Sequence, residues 1–242
     1  MAEKYRFSKE KHLHQLLVDG EWKALTGITT VLSVIAKPAL ISWAANMVAR
    51  YIEENAPHPV GKDYQVSVPL LEEARKAHTK KKESAGDWGT TVHGWIESYL
   101  KDEKPDPLKE EKQELACGNF IKWIDDNKVK VLESEKHLYS ETLWLGGITD
   151  LVVEIDGKVW VADIKTGSGI YEEAFFQMAG YQLMLEEQKL YKDIAGHIVL
   201  NFRKDGSFEE RRCVSNDDNR NAFLAALTLY RVKEKIKNQI IN

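Results

Sequence analysis

Asp150-Leu-Val-Val-Glu-Ile155, then Asp156-Gly157, then Lys158-Val-Trp-Val-Ala-Asp-Ile-Lys165 is the stretch from which the fold is read. Asp-Gly between two apolar runs is the strongest short-range hairpin signal, because a type I′ turn needs φ > 0 at both central positions. With that turn, residue i pairs with residue 313 − i, so Ile155 faces Lys158 and Asp150 faces Asp163. Directly opposed residues have Cβ atoms roughly 4.5 to 5.5 Å apart, where like charges destabilise a sheet unless something positive lies between them. Strand residues two apart share a face, so Lys165 emerges beside Asp163. Leu151, Val153, Ile155, Trp160 and Ala162 project from one face and Val152, Val159 and Val161 from the other, which predicts a strand pair covered on both sides. Carboxylates buried at the end of such a pair need a partner. From the hairpin alone two readings stand: a hard divalent cation held by oxygen ligands, or an ordinary cross-strand polar pair in which Lys165 neutralises one acid.

Further motifs surround the hairpin. Gly147-Ile-Thr-Asp150, Asp163-Ile-Lys165-Thr-Gly167 and Gln177-Met-Ala-Gly-Tyr181 follow one another, with Gly89-Thr-Thr-Val-His93-Gly-Trp-Ile-Glu97 and Glu135 upstream. In this order they resemble the signature of the RecB-like branch of the PD-(D/E)XK nucleases. The opening Gly27-Ile-Thr-Thr-Val-Leu32 and Leu40-Ile-Ser-Trp43 also resemble a subgroup that contains phage-encoded nucleases and the mitochondrial genome-maintenance exonuclease. That subgroup usually reads Ser-Val-Thr, so Gly27 lacks a hydroxyl found there.

The resemblance implies a restriction-endonuclease-like α/β (α+β) fold: an αβββαβ core whose central mixed sheet is flanked by helices, with an N-terminal helical elaboration. The residue pattern agrees. Strands are predicted near 129–138, 141–155 and 158–165, a helix over 171–190, strands near 195–202 and 207–214, and a last helix from about 217. Ahead of them, Leu16-Leu-Val18 and Trp22-Lys-Ala-Leu25 flank a second Asp-Gly turn, and Thr29 or Thr30 can cap a short helix. An amphipathic helix follows Lys37-Pro38 and breaks at Ala56–Gly61, and a charged helical region from Pro69 to about Asp102 is expected to be interrupted at Gly86–Gly89. The expected organisation is one elaborated domain: an N-terminal hairpin and helices over 1–65, a helical segment carrying His93 over 66–128, and the nuclease core over 129–242.

Composition agrees with an intracellular enzyme. The chain has 242 residues, enough for one sizeable domain, and the only two cysteines, Cys117 and Cys213, allow neither a disulfide framework nor a four-cysteine iron-sulfur cluster of the kind several RecB-like relatives carry. No signal peptide, transit peptide or membrane-spanning run is evident, so the expected location is the cytoplasm of a bacterium or phage-infected host. A net charge of −4 is unusual for a nucleic-acid protein, but an acid-rich site lowers net charge and local basic potential suffices. Basic clusters lie at Arg75–Lys82, Arg211-Arg212 and Arg231–Lys237, each also readable as a solvated face.

The resemblance implies a site. Asp150, Asp163 and Glu135 are expected as catalytic acids, with Asp150, Asp163, the carbonyl of Ile164 and His93 around one or two Mg²⁺ or Mn²⁺ ions, since hard cations take oxygen ligands. Lys165 is expected either to hold and deprotonate the attacking water or to stabilise charge on the phosphorane. Glu97 shares the His93 face and can simply interact with it. Gln177, Tyr181, Thr166 and Lys80, Lys81 and Lys82 are expected to meet DNA, Tyr181 by stacking and the Thr166–Gly169 turn by leading phosphate to a helix N-terminus. The predicted activity is a metal-dependent DNA exonuclease preferring single-stranded ends, a strand threading beneath the helical segment and stacking on Trp88 or Trp95, with roles in DNA repair or recombination. The alternatives are a duplex-end-resecting recombination exonuclease, an endonuclease, or a non-catalytic DNA-binding subunit.

Overall fold

The computed structural model describes residues 4–57, 66–214 and 217–239. The chain forms two compact units, one of residues 1–35 and 91–242 and one of Ala36–Thr90. In chain order the elements are β1 (Tyr5–Ser8), β2 (Leu13–Val18), β3 (Glu21–Ala24), β4 (Thr26–Gly27), α1 (Ile28–Leu32), α2 (Pro38–Asn55), α3 (Val68–Leu100), α4 (Glu111–Asp126), β5 (Lys130–Ser140), β6 (Leu145–Ile155), β7 (Lys158–Lys165), α5 (Glu172–Glu187), β8 (Gly196–Phe202), β9 (Phe208–Cys213) and α6 (Asp217–Lys237). From α4 onward the order is αβββαββα, a mixed sheet with flanking helices that carries the αβββαβ core expected from sequence.

The larger unit is built on a six-stranded sheet of order β4-β6-β7-β8-β9, with β5 also paired to β6. The predicted register is met: Ile155 pairs with Lys158, and the ladder continues to Leu151 opposite Ala162. Asp156 (φ 50°) and Gly157 (φ 72°) supply the two left-handed positions of the turn. Both faces of the pair are covered, with Leu151, Val152, Val153, Val161 and Ala162 all at most 1% exposed. β7 and β8 are parallel, joined through α5, which buries Met178, Tyr181, Met184 and Leu185 against Val152, Val161 and Val199. Burying a side chain of this size contributes about 1.5 to 3 kcal/mol.

Four details differ from the sequence-based expectation. α3 runs unbroken through Gly86–Gly89. A glycine inside a helix costs only about 1 kcal/mol, and here Trp88, 3% exposed, anchors that turn by burial. α1 has Gly27, not a threonine, at its N-cap, with no side-chain cap, because Thr26 and Gly27 are already engaged as a short parallel strand against Leu145 and Gly146. Tyr5–Ser8 forms an additional strand, β1, which extends the β2–β3 hairpin into a three-stranded sheet. The first α-helix after Lys37 forms with Pro38 at its start but buries none of its residues, leaving Leu40 and Ile41 exposed. The break expected at Ala56–Gly61 lies partly outside the described residues.

Candidate active site

β6 has three partners and only two edges. β5 pairs along one edge from Lys130↔Glu154 to Ser140↔Leu145. The other edge is shared: β7 takes residues 151–155 and β4 takes Leu145 and Gly146. Gly147–Asp150 therefore lie at a fork between two neighbouring strands. There β7 leaves β6, held by its parallel pairing to β8 through Lys165↔Asn201. Asp150 bridges the opening, its Oδ2 accepting the backbone N–H of Ile164 at 2.8 Å. The direct Asp150–Asp163 pairing predicted from the turn is not formed, because the ladder spreads at that point.

Across β6, Glu135 falls between the pairs Ser134↔Leu151 and Lys136↔Thr149, at the level of Asp150. Its φ is +49°, a left-handed conformation inside a strand, which stores roughly 1 to 3 kcal/mol and characteristically marks a site where the backbone re-aims a side chain. His93 approaches from α3, with Nδ1 4.0 Å from Asp150 Oδ2. One donor atom each of His93, Glu135 and Asp150 lies within 4.8 Å of the others. Asp163 does not join that trio of atoms. It is 1% exposed and pairs at 2.5 Å with Lys165 Nζ, which also donates to Gln177 Oε1 at 3.3 Å. The amide of Gln177 in turn donates to Tyr181 Oη at 2.9 Å.

The electrostatics describe an overcharged acid cluster. Burial, followed by the charges of Asp150 and Glu97, pushes Glu135 up to about 7, against the pull of Lys101 and Lys9. Burial also raises Asp163, and the cation of Lys165 opposes that shift. Burial alone would lower Lys165, but Asp163 and Asp150 outweigh it and keep the ammonium above its ordinary pKa. Two carboxylates and an imidazole this close could hold a divalent metal ion, the kind of cofactor that PD-(D/E)XK nucleases use. The iron-sulfur alternative has no donors, since only Cys117, buried, and Cys213 exist.

The remaining predicted residues are distributed differently. Tyr181 is 4% exposed inside the apolar core, which leaves its ring no free face for stacking. Glu97 pairs with Lys101 rather than with His93. The Thr166–Gly169 turn precedes α5, but the first turn of that helix carries Glu172 and Glu173, whose charge opposes a phosphate there. Lys80 pairs with Glu73 at 2.6 Å within the smaller unit, as does Lys76 at 3.2 Å, and Lys81 and Lys82 are exposed. Arg211 and Arg212 are ion-paired to Glu209 and Glu210, the solvated-face reading. Trp95 stacks on Tyr99, rings 5.5 Å apart and 8° from parallel. Lys101 and Lys9, whose charges reach Glu135, carry no sequence signal that marks them; nothing local distinguishes them from other surface lysines.

Comparison with known proteins supplies the family. The model of the PD-(D/E)XK nuclease superfamily matches residues 119–240, slightly more than half of the chain. No curated protein matches. Among solved structures, similarity is found to an LHK-Exo complex with dAMP at 10% identity, 88% of this chain, 89% of that one and a TM-score of 0.39. The alkaline exonuclease LHK-Exo of Laribacter hongkongensis is matched at 12% identity, 82% and 99% coverage and a TM-score of 0.27. A protein described as SSO0001 is matched at 16% identity, 76% and 85% coverage and a TM-score of 0.36.

Proposed function

The chain belongs to the PD-(D/E)XK nuclease superfamily, and from that premise we propose that it is a Mg²⁺- or Mn²⁺-dependent deoxyribonuclease acting from DNA ends, with a preference for single strands. The observation that carries the reading is the fork in the sheet: His93, Glu135 and Asp150 gathered at one point of β6, with the Asp163–Lys165 pair on the strand that diverges from it. A degenerate, non-catalytic member would be expected to have lost an acid or the lysine, and both acids and Lys165 are present.

His93, Glu135 and Asp150, with Asp163 and the Ile164 carbonyl of the adjoining strand, would hold the metal. A bound ion supplies polarisation of the scissile phosphate and a water acidified toward neutral pH. The protein's own groups do the rest. Asp150 is oriented by the Ile164 amide, and Glu135 by its strained backbone. Lys165, an ammonium clamped between Asp163 and Gln177, is set to stabilise the charge that builds on the phosphoryl oxygens; this favours the charge-stabilising role over the basic one. Gln177 is held by Tyr181, so the tyrosine acts by positioning.

The test is a gel with end-labelled linear single-stranded, linear duplex and covalently closed single-stranded circular DNA, with and without Mg²⁺. The expected result is Mg²⁺-dependent degradation of the linear single strand, slower loss of duplex and an intact circle. A circle has every phosphodiester bond and no end, so rapid cutting of it would make the protein an endonuclease, and faster loss of duplex would make it a resecting exonuclease.

A further inference from the structure

In the three-stranded N-terminal sheet, the β1–β2 turn Lys9-Glu-Lys-His12 presents Lys9, Lys11 and His12 to solvent, with neither lysine in an ion pair among the described residues. The turn is tied to the strands behind it. His12 holds φ +47°, the Lys11 amide meets Ser8 Oγ at 3.4 Å, and Phe7 packs edge-on against both His12 (5.4 Å) and His137 (5.4 Å). His137 lies on β5 two residues beyond Glu135, so the ring cluster ties the turn to the strand that carries one of the site's acids. The charge of Lys9 is felt at Glu135.

Behind the turn a cavity of about 420 Å³ opens, lined by His12 and His14 of the hairpin, Gly27 and Thr29 at β4 and α1, and Gly147 and Tyr181 at the fork. That volume lies within the roughly 300 to 1,000 Å³ of ligand-sized pockets. The fork packs closely against its surroundings: a Cβ at Gly146 would come within 2.4 Å of His14, and one at Gly147 within 2.7 Å of Tyr181. The cavity is lined by Gly147 and Ile148, two to three residues from Asp150, and by His12 of the turn that carries the two exposed lysines.

We infer that the β1–β2 turn is a substrate grip: Lys9 and Lys11 hold backbone phosphates of the DNA strand beside the bond to be cut, and the cavity between hairpin and fork receives one of that strand's nucleotides. The inference rests on the nuclease reading above and adds to it a binding element outside residues 119–240, the part matched by the family. Lysine point charges on a turn suit phosphates, which position a strand without reading its sequence. A mostly neutral cavity edged by His12, Thr29 and Thr30 suits a nucleoside, whose polar edges imidazole and hydroxyl groups can hydrogen-bond.

The experiment measures binding and cleavage separately. Fluorescence anisotropy with labelled oligo-deoxythymidine in Ca²⁺ gives the dissociation constant and its salt dependence, and Mg²⁺-driven degradation gives KM and kcat. Lys9→Glu/Lys11→Glu should weaken binding at least tenfold, reduce the slope of log K against log salt by about 0.7 for each phosphate no longer neutralised, and raise KM more than it lowers kcat. Lys23→Glu, a charge reversal on β3 at a residue neither in the turn nor among those lining the cavity, should bind as wild type does. Equal affinity and equal salt slope in the double variant, or an equal loss in Lys23→Glu, overturns the grip. If wild-type protein degrades no DNA under any metal, the nuclease reading falls, whereas degradation with an unaffected double variant removes only the grip.

Discussion

At the Asp156–Gly157 end, β6 and β7 are joined by two residues in left-handed conformations and run in register through five pairs, apolar on both faces. Six residues away, at the Asp150 end, the same strands separate, the ladder bond is replaced by a carboxylate accepting the Ile164 amide, and the neighbouring strand carries a glutamate at φ +49°. The closed end is what a hairpin does when nothing but packing is asked of it. The open end keeps repelling acids, a strained backbone and a lysine clamped by its neighbours, features that lower stability unless a cation and a phosphate complete them. The difference between the two ends is the functional signal, since the strands themselves are the same.

The sharpest way to break that comparison is to remove an open-end acid. Asp150→Asn or Asp163→Asn should cut DNA hydrolysis by at least about 10³-fold, the several kcal/mol that metal-assisted catalysis supplies. Far-UV circular dichroism should be unchanged, and DNA binding without turnover should be equal or tighter as repulsion falls. Full activity in either variant, or in excess chelator, would reduce the open end to a structural polar pair.

Lys165→Ala should lose on the order of 10² to 10⁴ in kcat. Lys165→Arg should not restore it, because a planar guanidinium cannot take the place of an ammonium seated between Asp163 and Gln177. Steady-state kinetics of the two variants, with metal affinity by titration as control, provides the check.

The closed half carries its own titration. His197, fully buried on β8, bonds Gln182 through Nε2 at 2.9 Å, and burial together with Arg220 lowers it to about 4. Its unfolded value lies near 6.5, so the unfolded chain binds the extra proton between those limits. The contribution of His197 to stability is therefore full above about pH 6.5 and falls as pH drops toward 4, by on the order of 3 kcal/mol. Thermal melts of wild type and His197→Gln in parallel from about pH 7 to about pH 4 isolate that contribution: the stability difference between the two should change across this window.

Backbone strain separates the ends by a smaller margin. At Glu135, a β-branched side chain is incompatible with φ +49°, so Glu135→Val should be about 2 kcal/mol less stable than Glu135→Asn in urea denaturation. At the closed end, Gly157→Ala at φ +72° meets no atom within 4 Å and should cost only about 1 kcal/mol, with hydrolysis unaltered. Equal stability of the Glu135 pair would mean the strand relaxes and stores nothing.

The hairpin, its register and the helix–strand order around it were determined by local sequence. Asp156-Gly157 admits one turn geometry, and a period of two then assigns every apolar residue of residues 151–162 to a face. The motifs at 147–150, 163–167 and 177–181 likewise carry the family, whose model matches the same region. Tertiary structure alone decided how the pieces meet. β7 leaves β6 because it is paired to β8, a strand more than thirty residues on, and β4 takes the vacated edge from more than a hundred residues upstream. Glu135 takes its left-handed conformation opposite Asp150, between ladder pairs that keep one register on either side of it. Tyr181 turns into the core and Glu97 toward Lys101, choices made by packing neighbours that no window of sequence contains. Residue types and spacing fix which groups a site can have; the competition of distant strands for one edge of β6 fixes where that site opens.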